Sequence, residues 1–252
     1  MTEPVRLAKR LAQQMNCSRR EAEQYIEGGW VRVDGQLVEE PMARVADAQR
    51  VEVDAEASLL ALSPVTLLLH KPVGLSVDAP AGAARVSAAQ ALLSVASQSP
   101  NDRSGIRCLK KHFTQLSLCT PIDSRASGLV VWTQDWRVAR KLKEDAAVIE
   151  HELTVEVEGE VTPQVLSKLS RPVSERGQLL PAAKVSVGSQ NEDGVRTALR
   201  FALKGERPGQ VDHLCETAGL VIKAVKRIRI GRVPMQQLAP GQWRYLAEHE
   251  RF

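Results

Sequence analysis

The residues with the clearest chemical potential lie in Thr120-Pro121-Ile122-Asp123-Ser124-Arg125-Ala126-Ser127-Gly128, a polar turn that runs into the apolar stretch Leu129-Val130-Val131-Trp132-Thr133. A carboxylate at the edge of a strand can be held rigidly and still be reached, so Asp123 is a candidate reactive group. Many aspartates in such turns do no more than accept hydrogen bonds from nearby backbone amides. A second group is Lys223-Ala224-Val225-Lys226-Arg227-Ile228-Arg229-Ile230-Gly231-Arg232, with five cations and no acid. The alternation predicts a strand that buries Ile228 and Ile230 and presents Arg227 and Arg229 to a phosphate backbone, and Lys226 beside them is a further RNA-binding candidate. A third group is Arg6, Lys9, Arg10, Arg19 and Arg20, which two packed helices could gather on one face. Residues 1–60 hold eight Lys+Arg against eleven Asp+Glu, so only segregation of charge would make them an anion-binding surface. His151, His213, Cys17 and Cys215 stand alone, and each is expected to be structural.

These groups need elements to position them. Apolar Val5, Leu7, Ala8, Leu11, Ala12 and Met15 recur at helical spacing and predict a helix from Val5 to about Met15. Ser18 with Glu21 three residues on is a capping-box pattern, which opens a second helix carrying Ala22, Tyr25 and Ile26 and stopped by Gly28-Gly29. Trp30 to Val38 alternates about Asp34-Gly35, a hairpin signal, and Arg50 to Val53 adds a strand. The result is a module over residues 1–60, with Asp54 to Pro64 reading as the linker, and a second domain over 64–252. In that domain Thr66 to His70 reads as a buried strand leaving into Lys71-Pro72-Val73-Gly74. Ala79 to Ala96 reads as a loop and helix, and Asn101 to His112 as a basic surface loop. Further strands are predicted at Leu129–Thr133, Leu153–Val157, Val185–Val187 and Val225–Val233, with one more around Trp243–Leu246. Helices are predicted up to about Glu144 and from Val211 to Ala218. The fold class is α+β: a small helix-helix-hairpin module followed by a domain with a mixed, largely antiparallel sheet. Irregular spacing between strands disfavours a doubly wound arrangement.

The 252 residues, 43% hydrophobic and 25% charged, exclude general disorder and a polytopic membrane protein. The N-terminal residues carry no apolar run, so the cytoplasm is the expected location and no membrane partner is expected. The four cysteines form no C-x-x-C pair and no zinc-like set, so free thiols and no metal are expected. A net charge of +4 is compatible with a polyanionic partner without requiring one.

The order of motifs resembles a known family. Leu7-Ala8-Lys9-Arg10-Leu11, Cys17-Ser18-Arg19-Arg20-Glu21-Ala22 and Val31-Arg32-Val33-Asp34-Gly35 look like the alpha-L RNA-binding domain named after a ribosomal small-subunit protein. His70-Lys71-Pro72-Val73-Gly74 is similar to N-K-P-x-G. Ile122-Asp123-Ser124-Arg125-Ala126-Ser127-Gly128-Leu129-Val130 is similar to R-L-D-x-x-T-S-G-L-L. Val155-Glu156-Val157-Glu158-Gly159 and Gly241-Gln242-Trp243-Arg244 fit as well. The chain resembles the bacterial ribosomal RNA pseudouridine synthases of the small-subunit type, including the branch that acts on large-subunit RNA. The resemblance implies cofactor-free, metal-free isomerisation of uridine in structured RNA, with Asp123 as the catalytic aspartate; a monomer is expected. It also places Lys71 in an RNA-binding motif and Arg125, His151, Leu153 and Gln210 around the substrate.

The chain departs from the family pattern in three places. Pro121 stands where the family has an arginine. His151-Glu152-Leu153 stands where it has K-x-Y, leaving Leu153 as an apolar floor for uracil. Gly209-Gln210-Val211-Asp212-His213-Leu214 stands where it has R-Q-V-R-R-M, whose cation neutralises the aspartate. A carboxylate at Asp212 would raise the pKa of Asp123, so Arg125, His213 or another cation is required to supply the missing charge. Two functions remain open: a pseudouridine synthase, or a non-catalytic RNA-binding protein of the same fold acting through Arg19, Arg20, Lys226, Arg227 and Arg229. A cation within hydrogen-bonding reach of Asp123 distinguishes them.

Overall fold

The structure, a computed structural model, describes residues 3–59, 63–78, 86–175, 178–190, 195–205 and 209–252. The chain forms two compact units, one of Met1–Pro64 with Arg107–Gln115, the other of Val65–Ile106 with Leu116–Phe252.

In the first unit, Val5–Arg6 is a short strand (β1) and the helix α1 runs from Leu7 to Met15, two residues later than its apolar spacing suggests. Leu7, Ala8 and Leu11 are its buried face. Helix α2 (Arg19–Glu27) opens with the capping box: the Glu21 amide donates to Ser18 Oγ at 3.2 Å and the Ser18 amide to Glu21 Oε2 at 2.7 Å. Strands β2 (Val31–Val33) and β3 (Gln36–Leu37) pair antiparallel about Asp34 and Gly35. Both turn residues have positive φ, 50° and 80°, which a two-residue turn matched to strand twist demands. Strand β4 (Arg44–Val45) pairs with β1, and β5 (Val51–Val53) with β2. The helices and these two small sheets close over Leu7, Leu11, Ile26, Val31 and Val45.

The segment Arg107–Gln115 completes this unit: Arg107, Lys110 and Lys111 of the expected basic surface loop are exposed, and the loop is docked rather than loose. Its guanidinium at Arg107 lies 4.0 Å from the Trp30 ring centroid and donates to the Gly29 carbonyl at 2.9 Å. The Lys110 amide donates to Glu39 at 2.7 Å, Lys111 pairs with Glu27, and His112 is buried. Arg107, Lys110 and Lys111 bring the unit to eleven cations against eleven acids, so the acid surplus of residues 1–60 is met by chain from much later in the sequence. Gly29 adopts a φ of +71°, in the left-handed region that favours glycine, and Leu109 Cδ2 lies where a Cβ would stand.

The second unit is built on one sheet. Strand β6 (Thr66–Lys71) is buried throughout; β7 (Ser117–Leu118) and β8 (Ser127–Thr133) follow, then α3 (Trp136–Glu144), β9 (Glu150–Glu158) and α4 (Pro163–Leu169). A hairpin of β10 (Val173–Glu175) and β11 (Gln178–Leu180) leads to β12 (Lys184–Gln190), β13 (Arg196–Lys204) and α5 (Gln210–Thr217). The chain ends with β14 (Val221–Ile230), β15 (Val233–Pro234) and β16 (Trp243–Tyr245). The spatial order is β12-β13-β9-β14-β8-β6-β16, with β15 on β14 and β7 on β8. Among the described residues the one parallel pairing in this sheet is β14 with β8, the rest being antiparallel. Leu153, Val155 and Val157 of β9 and Leu199, Phe201 and Leu203 of β13 pack with Leu169 of α4 and Leu214 of α5. Leu68, Leu129, Val131 and Ile230 pack with Leu142 of α3. Among the described residues, no helix is long and apolar enough to cross a membrane.

Of the expected Ala79–Ala96 loop and helix, residues 79–85 lie outside the described residues, and 86–98 hold two short 3-10 turns, Gln90–Leu92 and Val95–Ser97, in place of a helix. Serine hydroxyls explain the difference: Ser87 Oγ accepts from the Gln90 amide at 3.1 Å, and Ser97 Oγ donates to the Ser94 carbonyl at 3.2 Å, competing with helical pairing. The expected linker likewise includes residues 60–62, outside the described ones.

The late basic strand begins at Val221, four residues earlier than predicted, and its simple alternation fails. Arg227 lies opposite Leu153 and Arg229 opposite Glu152, adjacent residues of β9, because a bulge intervenes. Adjacent residues point to opposite faces, so Arg227 and Arg229 part company.

Candidate active site

Asp123 sits on the turn that feeds β8, and a side-chain-to-backbone bond shapes that turn: the Arg125 amide donates to Asp123 Oδ1 at 2.8 Å. Arg125 Nε approaches the same oxygen at 3.3 Å, and its Nη2 lies 3.7 Å from Asp212 Oδ1. The carboxylate is 55% exposed, open to a substrate. The Arg125 amide, followed by its guanidinium and the nearby Lys71 ammonium, holds the Asp123 carboxyl below the usual carboxylate range, more than offsetting slight burial. The expected rise from Asp212 therefore does not occur. Arg125 stands between the two carboxylates and supplies the cation, a role His213 does not take.

Two buried cations hold the turn from beneath. Lys71, fully buried at the end of β6, donates from Nζ to the carbonyls of Pro72 and Leu75 at 2.9 Å and of Ser124 at 3.3 Å. Burial lowers the Lys71 pKa, Asp123 opposing and Arg227 adding to the effect. Arg227, 2% exposed on β14, donates to the carbonyls of Leu129 at 2.8 Å, Pro121 at 3.2 Å and Thr120 at 2.5 Å. One guanidinium thus grips the chain on both sides of Asp123. Gly128 lets it do so, since a Cβ there, at φ +113°, would fall 2.2 Å from the Arg227 carbonyl oxygen. Pro121, which has no N–H, contributes its carbonyl to this network.

These contacts correct three expectations about phosphate binding. Lys71 and Arg227 are buried and saturated by carbonyls. Arg229 is drawn to the other face of the sheet, where Glu152 accepts at 2.7 Å from Nε and Glu150 at 2.7 Å from Nη2. The alternating carboxylates of β9 are the physical reason, and Arg200 also pairs with Glu152. Lys226 is half-buried, near enough to His70 to help lower that imidazole's pKa, behind burial and against the Leu238 carbonyl.

Of the expected substrate-contacting residues, the structure brings Arg125 to Asp123 but buries two others. Leu153 is 1% exposed inside the β9–β13 core, and Gln210 is buried with Nε2 donating to the Pro181 carbonyl at 3.1 Å. Leu153 is thus not an open floor in this structure. His151 is half-buried near the start of β9. Burial, reinforced by Asp212, pushes the Cys215 thiol up to about 12, and Cys119 is likewise raised by burial, with Lys143 opposing; neither is an activated nucleophile. Among the described residues no cluster of three or more His, Cys, Asp and Glu is placed to hold a metal ion.

On the first unit, charge is segregated as an anion-binding surface requires. Arg6, Lys9 and Arg19, with Gln13 and Asn16, line a shallow concavity of about 510 Å³ between the helices. Arg6, Lys9, Arg19 and Arg20 are exposed, Arg19 in a surface pair with Glu23 at 3.1 Å, while Arg10 leans on Asp47 at 3.3 Å. The Arg227 clamp escaped sequence reasoning because its acceptors lie about a hundred residues away, although the glycine at position 128 marked a close backbone approach.

Known proteins bear on this geometry. Residues 5–51 match the S4 domain family. An uncharacterized RNA pseudouridine synthase of Aquifex aeolicus (strain VF5) is 28% identical, the alignment covering 98% of this chain and 94% of that protein. Ribosomal large subunit pseudouridine synthase B of Bacillus subtilis (strain 168) is 28% identical over 97% and 93% of the two chains. The dual-specificity RNA pseudouridine synthase RluF of Escherichia coli (strain K12) is 24% identical over 98% and 77%. A crystal structure of a pseudouridylate synthase superposes with a TM-score of 0.57 at 17% identity, covering 97% of this chain and 96% of that one, which supports a shared fold.

Proposed function

We propose that this chain, which resembles the ribosomal RNA pseudouridine synthases along nearly its whole length and carries an S4 domain, isomerises uridine to pseudouridine in RNA, with Asp123 as the catalytic residue. Similarity to RNA pseudouridine synthases across the whole chain supports the activity. The observation that carries the assignment to Asp123 is its setting: an exposed, ionised carboxylate paired with Arg125, on a turn fastened from below by Arg227 and Lys71.

The reaction requires the uracil to leave the ribose at N1, turn, and rejoin through C5, with the C5 proton lost and N1 gaining one. An ionised Asp123 acts at the ribose or as the base for that proton, and the depressed pKa keeps it charged at neutral pH. C5 cannot be reached inside a stacked duplex, so the target nucleotide is flipped out to the carboxylate. The exposed cations of the first unit, Arg6, Lys9, Arg19 and Arg20, contact phosphates and position the RNA. In this reading the substrate is ribosomal RNA, and the enzyme works in the cytoplasm as a monomer and without a cofactor.

The test is pseudouridine mapping of ribosomal RNA from cells lacking the gene, complemented with wild type, Asp123→Asn or Asp123→Ala. Loss of one site in the deletion, restored by wild type alone, is expected. An unchanged map, with the protein still bound to ribosomal RNA, would establish an RNA-binding protein in which Asp123 is not catalytic.

A further inference from the structure

We propose that the outer face of α3 is a stacking platform for an unpaired base of the bound RNA, with Trp136 as the stacking ring. This inference rests on the RNA-substrate reading above.

Trp136 is 62% exposed at the first position of α3. Trp132 and Trp243 are buried, and Trp30 has Arg107 stacked on it, so Trp136 is the one indole that the second unit leaves in water among the described residues. Nothing in the helix requires an aromatic there: Asp135 caps it by accepting from the Arg137 amide at 2.8 Å, and Val138, Ala139 and Leu142 supply its inward face. The outward face is otherwise cationic, with exposed Arg137, Arg140, Lys141 and Lys143 against Glu144. Arg140 and Arg137 place their guanidinium carbons 5.4 and 5.8 Å from the Trp136 ring centroid. Arg140 reaches Glu144 at 3.5 Å and Lys141 reaches Asp145 at 3.1 Å, exposed pairs too weak to hold those side chains from a stronger anion.

An exposed ring rimmed by arginines is how a sequence-tolerant single-strand site is built: the ring stacks on a base and the cations take the flanking phosphates. A protein partner fits the face poorly, because its outward side presents no second apolar side chain to form a dry centre. A polyanion with planar, partly apolar groups fits both features. Strand β8, seven residues long, separates α3 from the Asp123 turn by about 20 Å at the usual rise per residue. The platform therefore takes a nucleotide other than the reacting uridine.

The experiment uses the full chain with a twelve-nucleotide oligoriboadenylate, an RNA duplex of twelve base pairs and deproteinised ribosomal RNA. The single strand is expected to quench tryptophan emission in wild type, and Trp136→Ala is expected to lose that quenching and bind the strand roughly tenfold more weakly. Trp136→Phe, which can still stack, should stay within about threefold of wild type, while Trp136→Leu should match the alanine variant. Equal affinity of Trp136→Ala and wild type for the single strand would overturn the platform, as would a leucine variant as good as phenylalanine. Equal loss of duplex binding would also overturn it, by showing a charge or folding effect. If wild type binds none of the three RNAs, the RNA-substrate reading itself falls.

Discussion

Two sets of cations of similar make-up meet opposite surroundings in this protein. On α1 and α2, and just ahead of α1, Arg6, Lys9, Arg19 and Arg20 remain in solvent, three of them around one concavity. On β14, Arg227 is buried against three carbonyls and Arg229 is bound to two carboxylates. Helix surfaces satisfy their own backbone and leave side chains in solvent with at most exposed partners, as Arg19 has in Glu23, whereas a strand inside a sheet lies among neighbours with acceptors to offer. Cationic composition therefore says little about anion binding until the neighbours are known. The first set lies open to solvent; in the second, Arg227 shapes the turn that carries Asp123 and Arg229 braces β9.

The comparison breaks most decisively at Arg227. Arg227→Ala leaves three carbonyls around the active turn without their donor, two of those bonds buried outright. It is expected to cost roughly 3 kcal/mol or more in urea unfolding and to abolish pseudouridine formation. A stable, active alanine variant would show that Arg227 is not the clamp. Lys71→Met keeps the aliphatic bulk but removes a donor to the Pro72, Leu75 and Ser124 carbonyls, and about 2 kcal/mol of destabilisation with lower turnover is expected. Neither change should alter how RNA affinity depends on salt.

The exposed set should behave in the reverse manner. Replacing Lys9 and Arg19 with glutamine is expected to leave the melting temperature nearly unchanged and to flatten the plot of log affinity against log salt, by up to about 0.9 for each phosphate that is no longer neutralised. Arg229→Ala sharpens the contrast: a partly exposed network gives a loss of about 1 kcal/mol and no change in salt slope.

The smallest effect concerns pH. The Asp123 carboxyl titrates below its ordinary value in the folded protein, so activity is present above that range and is lost only as pH falls through the lowered value. Arg125→Ala removes the guanidinium but keeps the backbone amide bond, so the acid limb of the kcat profile should move partway upward. An unmoved limb would show that the Arg125 side chain does not tune Asp123.

Local features were legible in the sequence where local physics decides them. The capping box at Ser18 and Glu21, the Asp34-Gly35 turn and the polar turn holding Asp123 each depend on residues within a few positions. The destination of Arg227 depends instead on carbonyls about a hundred residues upstream and on a bulge that no alternation pattern announces. Leu153 and Gln210 were expected to face substrate because resemblance to a family sets position along the chain, not burial. Arg125 was legible as the compensating cation for an opposite reason: it lies two residues from Asp123, where the turn itself delivers it.

The union of residues 1–64 with 107–115 in one unit has a consequence for the order of events during translation. A ribosome emits this chain from the N-terminus, so the two helices and the hairpin emerge well before Arg107, Lys110 and Lys111. At about 5–20 residues per second, that interval lasts a few seconds, during which the nascent module carries its uncompensated acids and an uncovered Trp30. The module thus keeps a surplus of acids, and lacks the partners that Glu27, Glu39 and Glu40 find in the finished unit, until part of the second unit has been made.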